Sequence, residues 1–240
     1  MTIEYDQLAE AYGRYRRCNP AVLRELVTGA ALTHASRMLE VGAGTGNYCR
    51  ALRELTDCHC TAVEPSQAMR NQLRDADGEI EVVAGVAERL PLPSDNFDLV
   101  FCVDVVHHLS DPAAFLQEAF RVLKAAGVIC VVTDSEDIIR ARFPLAEYFP
   151  ETVDAELRRY PSVERLRALA DAAGFNGWRE SRVTSSTLLT SVEAYEAKSF
   201  SALHLIPEAS FQAGLARLRE DLQRGPLMTV GSYVLLWATK

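Results

Sequence analysis

The sequence of 240 residues lacks any apolar run long enough to cross a lipid bilayer. Its longest apolar runs, 127–132 and 230–237, fall far short of the roughly 20 residues that a membrane-spanning helix needs. The N-terminus is polar and charged, whereas a secretion signal carries an apolar stretch. We therefore expect a cytoplasmic protein that does not bind a membrane.

Positive charge is also scarce. The chain has 25 lysines and arginines against 33 aspartates and glutamates, which gives a net charge of −8 at pH 7. No stretch dense in basic residues interrupts this balance, so the surface repels a phosphate backbone and nucleic acid is not expected as a partner. The hydrophobic fraction of 48% is that of an ordinary globular protein with a sizeable core.

The cysteines do not form the pattern of a disulfide framework. Cys58, His59 and Cys60 resemble a fragment of a metal site, but on a strand the two cysteines share one face and His59 faces the other way. No second pair of ligands completes a tetrahedral site, so we expect no metal. Several of the six cysteines lie in strand-like apolar runs, which favours buried thiols in a reducing compartment.

Short apolar strands alternate with amphipathic helices, and this order predicts an α/β fold: a doubly wound, mostly parallel, Rossmann-like sheet with helices on both faces. The two most apolar strands are expected near the middle of the sheet. The predicted strands are 36–41, 58–64, 80–84, 97–103 and 127–133, and the predicted helices are 4–16, 20–32, 45–55, 66–75, 112–124 and 162–173.

We expect one domain over 1–240, with an N-terminal helical lid at 1–34 and a ligand-binding core at 35–133. The part from 134 to 240 supplies substrate-covering insertions and the final strands. Within it, residues 134–160 are interpreted as an irregular insertion over one end of the sheet. The remainder is predicted as strands at 178–189 and 228–238 and helices at 191–198 and 208–223.

A glycine-rich loop follows the first predicted strand and opens the first helix of the core. Glycines at 42, 44 and 46 remove side chains where the backbone turns, so a ligand can lie against the chain at a helix N-terminus. The spacing is G-x-G-x-G, whereas the dinucleotide fingerprint is G-x-G-x-x-G. The loop therefore favours a nucleoside cofactor other than NAD.

Two further loops are expected at the same edge of the sheet. Glu64 ends the second strand, where a carboxylate can accept hydrogen bonds from both hydroxyls of a ribose. Ser66 is placed to cap the helix that follows. After the third strand, Val86 and Ala87 can present a backbone N–H to an adenine ring, and Glu88 can accept from its amino group. Three ligand-compatible loops at successive strand ends indicate a binding site.

These segments resemble the class I S-adenosylmethionine (SAM)-dependent methyltransferases, in particular the small-molecule group that includes the quinone-biosynthesis enzymes. The resemblance covers roughly residues 5–133. It rests on the sequences EVGAGTG at 40–46, EPS at 64–66, AERLP at 87–91, FDLV at 97–100 and FRVLKAAG at 120–127. It implies a seven-stranded sheet whose last two strands form an antiparallel pair, and SAM as the cofactor.

The resemblance also implies which residues hold the cofactor. The glycine loop would bind the methionine part, the acid at position 64 the ribose, and positions 87–88 the adenine. The expected cofactor-binding residues are Tyr12, Arg16, Glu40, Gly42, Ala43, Gly44, Thr45, Gly46, Glu64, Pro65, Ser66, Met69, Val86, Ala87, Glu88 and Val103.

Candidates for a role on the methyl acceptor follow the fourth strand. His108, with His107 as the second choice, is expected beside the methyl group as a catalytic or substrate-orienting residue; both imidazoles could instead begin the next connection and bond to backbone. Asp104 is interpreted as a surface or capping residue. Near the N-terminus, Arg16 could pair with the cofactor's carboxylate and Tyr12 exclude water, although simple packing of an amphipathic helix also explains the aromatics.

We therefore expect a SAM-dependent enzyme, a monomer or homodimer, that methylates a small molecule. Two alternatives stay open: a protein that binds SAM without transfer, and an enzyme that uses SAM in a non-methylating reaction. An arsenic-type methyltransferase would need a suitably placed set of cysteines, and their positions on predicted strands count against it. Nothing after residue 134 identifies the acceptor.

Overall fold

The computed structural model describes residues 5–76 and 79–240. Among these residues, seven strands form a single sheet. They are β1 (Arg37–Val41), β2 (His59–Glu64), β3 (Glu81–Ala84), β4 (Phe97–Val103), β5 (Leu123–Thr133), β6 (Asn176–Leu189) and β7 (Leu227–Thr239). Their order is β3-β2-β1-β4-β5-β7-β6, and β7 pairs antiparallel with both of its neighbours while the other strands are parallel.

Helices connect the strands and cover the sheet. Two short 3-10 helices, Val106–His108 and Ser201–His204, complete the described structure. The α-helices are α1 (Tyr5–Tyr15), α2 (Pro20–Gly29), α3 (Asn47–Thr56), α4 (Gln67–Ala76), α5 (Pro112–Val122), α6 (Glu136–Ala141), α7 (Leu145–Tyr148), α8 (Glu151–Arg159), α9 (Val163–Ala173), α10 (Glu193–Glu196) and α11 (Glu208–Arg224).

Successive residues of a strand point to opposite faces of the sheet, and in β1, β2 and β4 the residues of both faces are largely buried. In β4, Val100 and Cys102 pack in one apolar cluster with α5 and α9, whereas Leu99 and Phe101 pack in a second cluster with α2 and α3. A strand buried on both faces reads as a continuous apolar run. The structure thus confirms the doubly wound α/β fold and its antiparallel last pair.

The core elements begin and end close to their predicted bounds, but 134–160 differs. This segment was expected to be irregular and instead contains α6, α7 and α8. Pro144 and Pro150, which precede α7 and α8, have no side chain that could cap a helix, so the usual sequence signal for a helix start is missing there. Ser135 precedes α6 and is a residue type that caps helices, but its side chain makes no capping bond. The helices are held by buried apolar side chains such as Ile139 and Phe149.

The last two strands extend beyond the rest of the sheet. Pairing of β5 with β7 covers Val128–Thr133 against Val234–Thr239, whereas β6 and β7 remain paired as far as Leu189 opposite Leu227. Half of this β-ribbon therefore projects past the carboxyl end of β5. A third apolar cluster, built from α7, α10 and α11 around Phe149 and Leu215, lies outside the two sheet-facing clusters. Together they enclose space above the carboxyl edge of the sheet.

No helix in the described ranges combines the length and the apolar character needed to cross a membrane.

Gly214 lies where α11 packs closely against the end of α7. A Cβ added at this position would lie 2.1 Å from the carbonyl oxygen of Tyr148 and 2.7 Å from the Phe149 ring. In an unobstructed helix Gly→Ala stabilises by about 0.5–1 kcal/mol, but here overpacking is expected to cost about 1–3 kcal/mol. We predict that Gly214→Ala lowers the free energy of unfolding measured by urea titration. The reverse exchange at exposed Ala213, Ala213→Gly, measures helix propensity alone, and a stabilised Gly214→Ala would contradict the packing.

Candidate functional site

A cavity of about 1350 Å³ opens at the carboxyl edge of the parallel strands. Ligand sites for one drug-sized molecule span about 300–1,000 Å³, so this cavity has room for two. One half, termed here the loop half, is lined by the segments that follow β1, β2 and β3. The other, termed the insertion half, is lined by segments that follow β4 and β5, by α8 and the turn before α7, and by residues near 195–205.

The glycine loop forms the floor of the loop half. Gly42 and Gly44 have φ angles of +71° and +55°, which favour glycine. The N–H of Gly42 donates to the carbonyl oxygen of Val63 at 2.8 Å and ties the loop to β2. A Cβ at Gly42 would lie 2.6 Å from the side chain of Val105. The loop is therefore fixed with its backbone facing the cavity.

Glu64 connects the loops that follow β1 and β2. Its Oε2 accepts a hydrogen bond from the N–H of Gly44 at 2.8 Å, and its Oε1 accepts one from the N–H of Ser66 at 2.9 Å. The residue is 6% exposed and lines the cavity. Burial raises the pKa of Glu64, while the two N–H groups favour its ionised form. Each carboxylate oxygen retains acceptor capacity for a ligand hydroxyl.

Glu40 lies behind the glycine loop. Its Oε2 accepts from the N–H of Cys49 at 2.9 Å, and burial raises the pKa of Glu40 to about 8. Glu40 and Ala43 line a smaller adjoining cavity of about 40 Å³ and not the large one, whereas Val103 lines both. The Glu40 carboxyl group thus binds the backbone of α3, the helix that the glycine loop opens, and does not line the large cavity.

The loop after β3 closes the same half. Val86, Ala87 and Glu88 all line the cavity, and Val86 is 44% exposed. Glu88 Oε1 accepts from the N–H and Oγ of Ser110, at 3.0 and 2.9 Å. This anchors the Glu88 side chain to the segment before α5.

The remaining predicted loop residues divide into two groups. Pro65 and Met69 line the cavity. Thr45, Gly46 and Ser66 do not: Thr45 is buried with its Oγ1 unpartnered, Gly46 is the N-cap of α3, and Ser66 Oγ accepts from the N–H of Met69. The expected helix cap at Ser66 is thereby confirmed.

Arg16 reaches the cavity from the segment after α1. Its Nη2 lies 3.0 Å from Asp104 Oδ2, and the hydroxyl of Tyr233 donates to the same oxygen at 3.3 Å. Asp104, expected at the surface or as a cap, is instead largely buried and ion-paired at the end of β4. The side chain of Tyr12 lies outside the residues that the structure describes.

His107 and His108 lie in the short 3-10 helix after β4, and both line the insertion half. The ring of His107 stacks on Tyr160, with centroids 4.0 Å apart and planes inclined by 15°. His107 is 8% exposed and its Nδ1 has no hydrogen-bond partner. Burial lowers the pKa of His107 well below its usual value, and burial with the charge of Arg159 lowers that of His108 to about 3.

An ionic network in the insertion half was not predicted from the sequence. Arg142 bonds to Asp134 and to Glu156, the latter at 2.7 Å, and Arg159 bonds to Glu156 at 2.6 Å. Asp134 could have been found, because it directly follows a predicted strand, as Asp104 does. Of the other three residues, Arg142 directly follows α6, and Glu156 and Arg159 lie in α8; neither helix was predicted from the sequence.

Cys58 and Cys60 are buried on one face of the chain, and His59 is exposed, in agreement with the expected strand geometry. All six cysteines are free thiols. Over 5–76 and 79–240, no group of three or more His, Cys, Asp or Glu side chains is arranged to hold a metal ion. The absence of a metal site remains a prediction.

Residues 39–131 match a family model described as a methyltransferase domain. This segment contains the glycine loop, Glu64 and the loop after β3, and it ends within β5. The match agrees with the sheet order and the antiparallel last pair, and it supports the resemblance stated above: residues 39–131 are similar to a methyltransferase domain.

Particular relatives support the same class. An uncharacterized methyltransferase of Mycobacterium tuberculosis is 32% identical over 127 residues, which are 53% of this chain and 51% of that protein. The ubiquinone/menaquinone biosynthesis C-methyltransferase of Vibrio parahaemolyticus is 28% identical over 174 residues, 62% of this chain and 67% of that protein. The chain thus spans about half the length of the first of these curated relatives.

A solved structure covers nearly the whole chain. It is a protein from Anabaena variabilis, named as a candidate methyltransferase of an antibiotic biosynthesis pathway. It has 25% identity and a TM-score of 0.73, and the alignment covers 94% of this chain and 99% of that one. The likeness therefore extends through the helices and strands after residue 134, beyond the matched family segment.

The buried Glu40 carboxyl group predicts a pH dependence of stability. The folded state retains this proton up to about pH 8, whereas the unfolded state releases it near its usual pKa of 4.5. Since the folded state binds more protons between these values, the free energy of unfolding falls as pH rises. Glu40→Gln removes this pH-dependent contribution to the free energy of unfolding. The variant should be more stable than the wild type at pH 8 by about 1–4 kcal/mol, as measured by urea unfolding.

Exposed Glu54 on α3 supplies the matched control, because Glu54→Gln makes the same exchange without removing a buried carboxyl. Its unfolding free energy should follow that of the wild type across the range. An equal slope with pH in the wild type and in Glu40→Gln would contradict the assignment.

Proposed function

We propose that this chain is a SAM-dependent methyltransferase that acts on a small-molecule acceptor. The observation that carries the proposal is the position of Glu64. Its buried carboxylate joins the glycine loop to the end of the adjacent strand and faces a cavity large enough for a cofactor and an acceptor.

The loop half fits the chemical groups of SAM. Glu64 offers acceptor oxygens to the two ribose hydroxyls, and the backbone of Gly42 and Gly44 leaves room for the methionine part. Glu88 and the exposed turn at Val86 suit the adenine. Arg16 supplies a cation for the amino-acid carboxylate. Four of the other candidates line the cavity: Pro65, Met69, Ala87 and Val103. Five do not line it and instead support the conformation of the loops: Glu40, Ala43, Thr45, Gly46 and Ser66.

When bound, SAM supplies a methyl group already activated by a positively charged sulfur. The chain therefore needs no covalent nucleophile, and its contribution is to hold the acceptor in line. Correct alignment alone is worth roughly 7–11 kcal/mol in favourable cases. The insertion half, lined by His107, His108 and Tyr160, surrounds the place where the acceptor would lie. Residues of α8 and of the projecting β-ribbon also line the cavity.

We assign His108 an orienting role. A pKa of about 3 leaves its imidazole neutral at physiological pH and makes it a weak base. A neutral imidazole still accepts a hydrogen bond from an acceptor hydroxyl and fixes its direction. His107 is the less favoured candidate, since its ring is held between Tyr160 and His108.

We retain the division of one domain into a lid at 1–34, a cofactor core at 35–133 and an acceptor-covering part at 134–240. The lid is supported by the bond from Arg16 to Asp104 and by the bond from the side chain of Asn19 to Ser185 at 2.8 Å. All four of these residues line the cavity. A monomer or homodimer remains the expected state.

Isothermal titration calorimetry with SAM and with its demethylated product, S-adenosylhomocysteine, tests the proposal. We expect both to bind the wild type. Glu64→Ala should weaken binding by about 10–150-fold, because charge-assisted hydrogen bonds contribute about 1.5–3 kcal/mol. His108→Ala should bind within about threefold of the wild type, and labelled methyl transfer to acceptors separates the enzyme from a protein that only binds.

The relative affinities of Glu64→Ala and His108→Ala for SAM decide whether the two halves of the cavity are correctly assigned. A wild type that binds neither compound would refute the proposal as a whole. Strong loss of binding in His108→Ala with little change in Glu64→Ala would refute the assignment of the two halves.

A further inference from the structure

The charges in the insertion half of the cavity are balanced within the protein. Two arginines and two carboxylates line its inner part, and each arginine contacts a carboxylate. The carboxylates of Asp134 and Glu156 are only about 5% and 4% exposed. Arg142 pairs with Asp134 and Glu156, and Arg159 pairs with Glu156. Arg16 and Asp104, which are less buried, contact both halves and are not part of this set.

Glu156 is the centre of this arrangement. Its Oε2 accepts from Arg142 at 2.7 Å and its Oε1 accepts from Arg159 at 2.6 Å, so both oxygens are engaged by a cation. Arg159 also donates to Ser201 Oγ at 2.6 Å. Neither guanidinium is left without a counterion.

A balanced set of buried ions disfavours a charged ligand. An additional anion or cation would enter without a counterion, or would displace a partner and leave another buried charge exposed to apolar surroundings. The other charged residues that line the cavity lie elsewhere: Glu64 and Glu88 belong to the loop half, and exposed Arg17 and Arg24 lie at its mouth. None of these supplies a counterion deep in the insertion half.

The remaining groups of this half are neutral and many are aromatic. Tyr160 stacks on His107, and Phe143, Tyr195 and Phe200 also line the space. The Nδ1 atom of His107 is buried without a partner, which is costly unless a ligand completes it. Imidazole and phenol groups donate and accept hydrogen bonds without carrying charge.

We propose that the acceptor is an uncharged, planar, hydroxyl-bearing compound of the phenol or enol class, held against Tyr160 and the two imidazoles and not by an ion pair. This inference rests on the proposed function and specifies its substrate class. Selectivity arises because the paired arginines and acids reject acceptors that bring a charge of either sign.

Three phenols of similar size test the class: para-ethylphenol, which is neutral, para-hydroxyphenylacetate, an anion, and tyramine, a cation. Each is titrated by ligand-observed NMR at neutral pH into wild-type protein saturated with S-adenosylhomocysteine. The neutral phenol should bind at least about tenfold more tightly than either ion. Equal or tighter binding of an ion, or binding of none of the three, would overturn the inference.

Glu156→Gln tests the cause of this selectivity. The substitution keeps the side-chain shape but removes the carboxylate that Arg159 contacts and one of the two that Arg142 contacts. The affinity ratio of para-hydroxyphenylacetate to para-ethylphenol should then rise by at least about tenfold, with no gain for tyramine. Glu151→Gln is the control, because Glu151 is exposed on the same helix and does not line the cavity; its ratio should equal that of the wild type.

The outcomes separate the two proposals. Failure of S-adenosylhomocysteine to bind the wild type counts against the proposed function itself. Normal binding of that compound with a preference for a charged phenol counts against the acceptor class alone. If Glu156→Gln does not fold, as judged by circular dichroism, the wild-type series still decides.

Discussion

The candidate site depends on one buried carboxylate that is shared by two backbone segments. Glu64 accepts an N–H from the loop after β1 and another from the loop after β2, and so fixes the separation of two parallel strand ends. Backbone donors at such short range hold the carboxylate in one orientation while leaving acceptor capacity on each oxygen. The same contact that closes the loops therefore also prepares the binding surface, and the glycines are needed because the loop must approach the carboxylate closely.

The two halves of the cavity use charge in opposite ways. In the loop half, Glu64 accepts hydrogen bonds from two uncharged backbone N–H groups, so a ligand can complete its coordination. In the insertion half, Glu156 already binds two guanidinium groups. A buried ion stabilises the protein only as long as its ion-pair partners stay in place. Glu156 therefore helps to define the shape of the cavity and disfavours charged ligands, and it does not attract one. Recognition of an acceptor then falls to the neutral rings around Tyr160.

The sequence predicted the loop half well because its signals are local. The glycine loop, Glu64 and the turn at Val86 each directly follow a strand whose apolar run is unmistakable, and parallel strands bring such ends together. The insertion half could not be derived in the same way. Arg142, Glu156 and Arg159 meet only because α6 to α8 fold back over the sheet, and α7 and α8 are preceded by prolines, which have no capping side chain. Even Asp104 was misjudged, since its partners Arg16 and Tyr233 are 88 and 129 residues away.

The two halves of the cavity are expected to respond separately to substitution. The loop half rests on the two clusters that pack against the sheet, whereas α7, α10 and α11 form a cluster of their own around Phe149 and Leu215. Changes at sites without shared partners are usually additive in free energy. Side chains of the insertion half can therefore change with little effect on the glycine loop and Glu64, except through residues such as Arg16 and Asp104 that contact both halves. The fold thus allows the insertion half to vary while the geometry of the glycine loop and Glu64 is preserved.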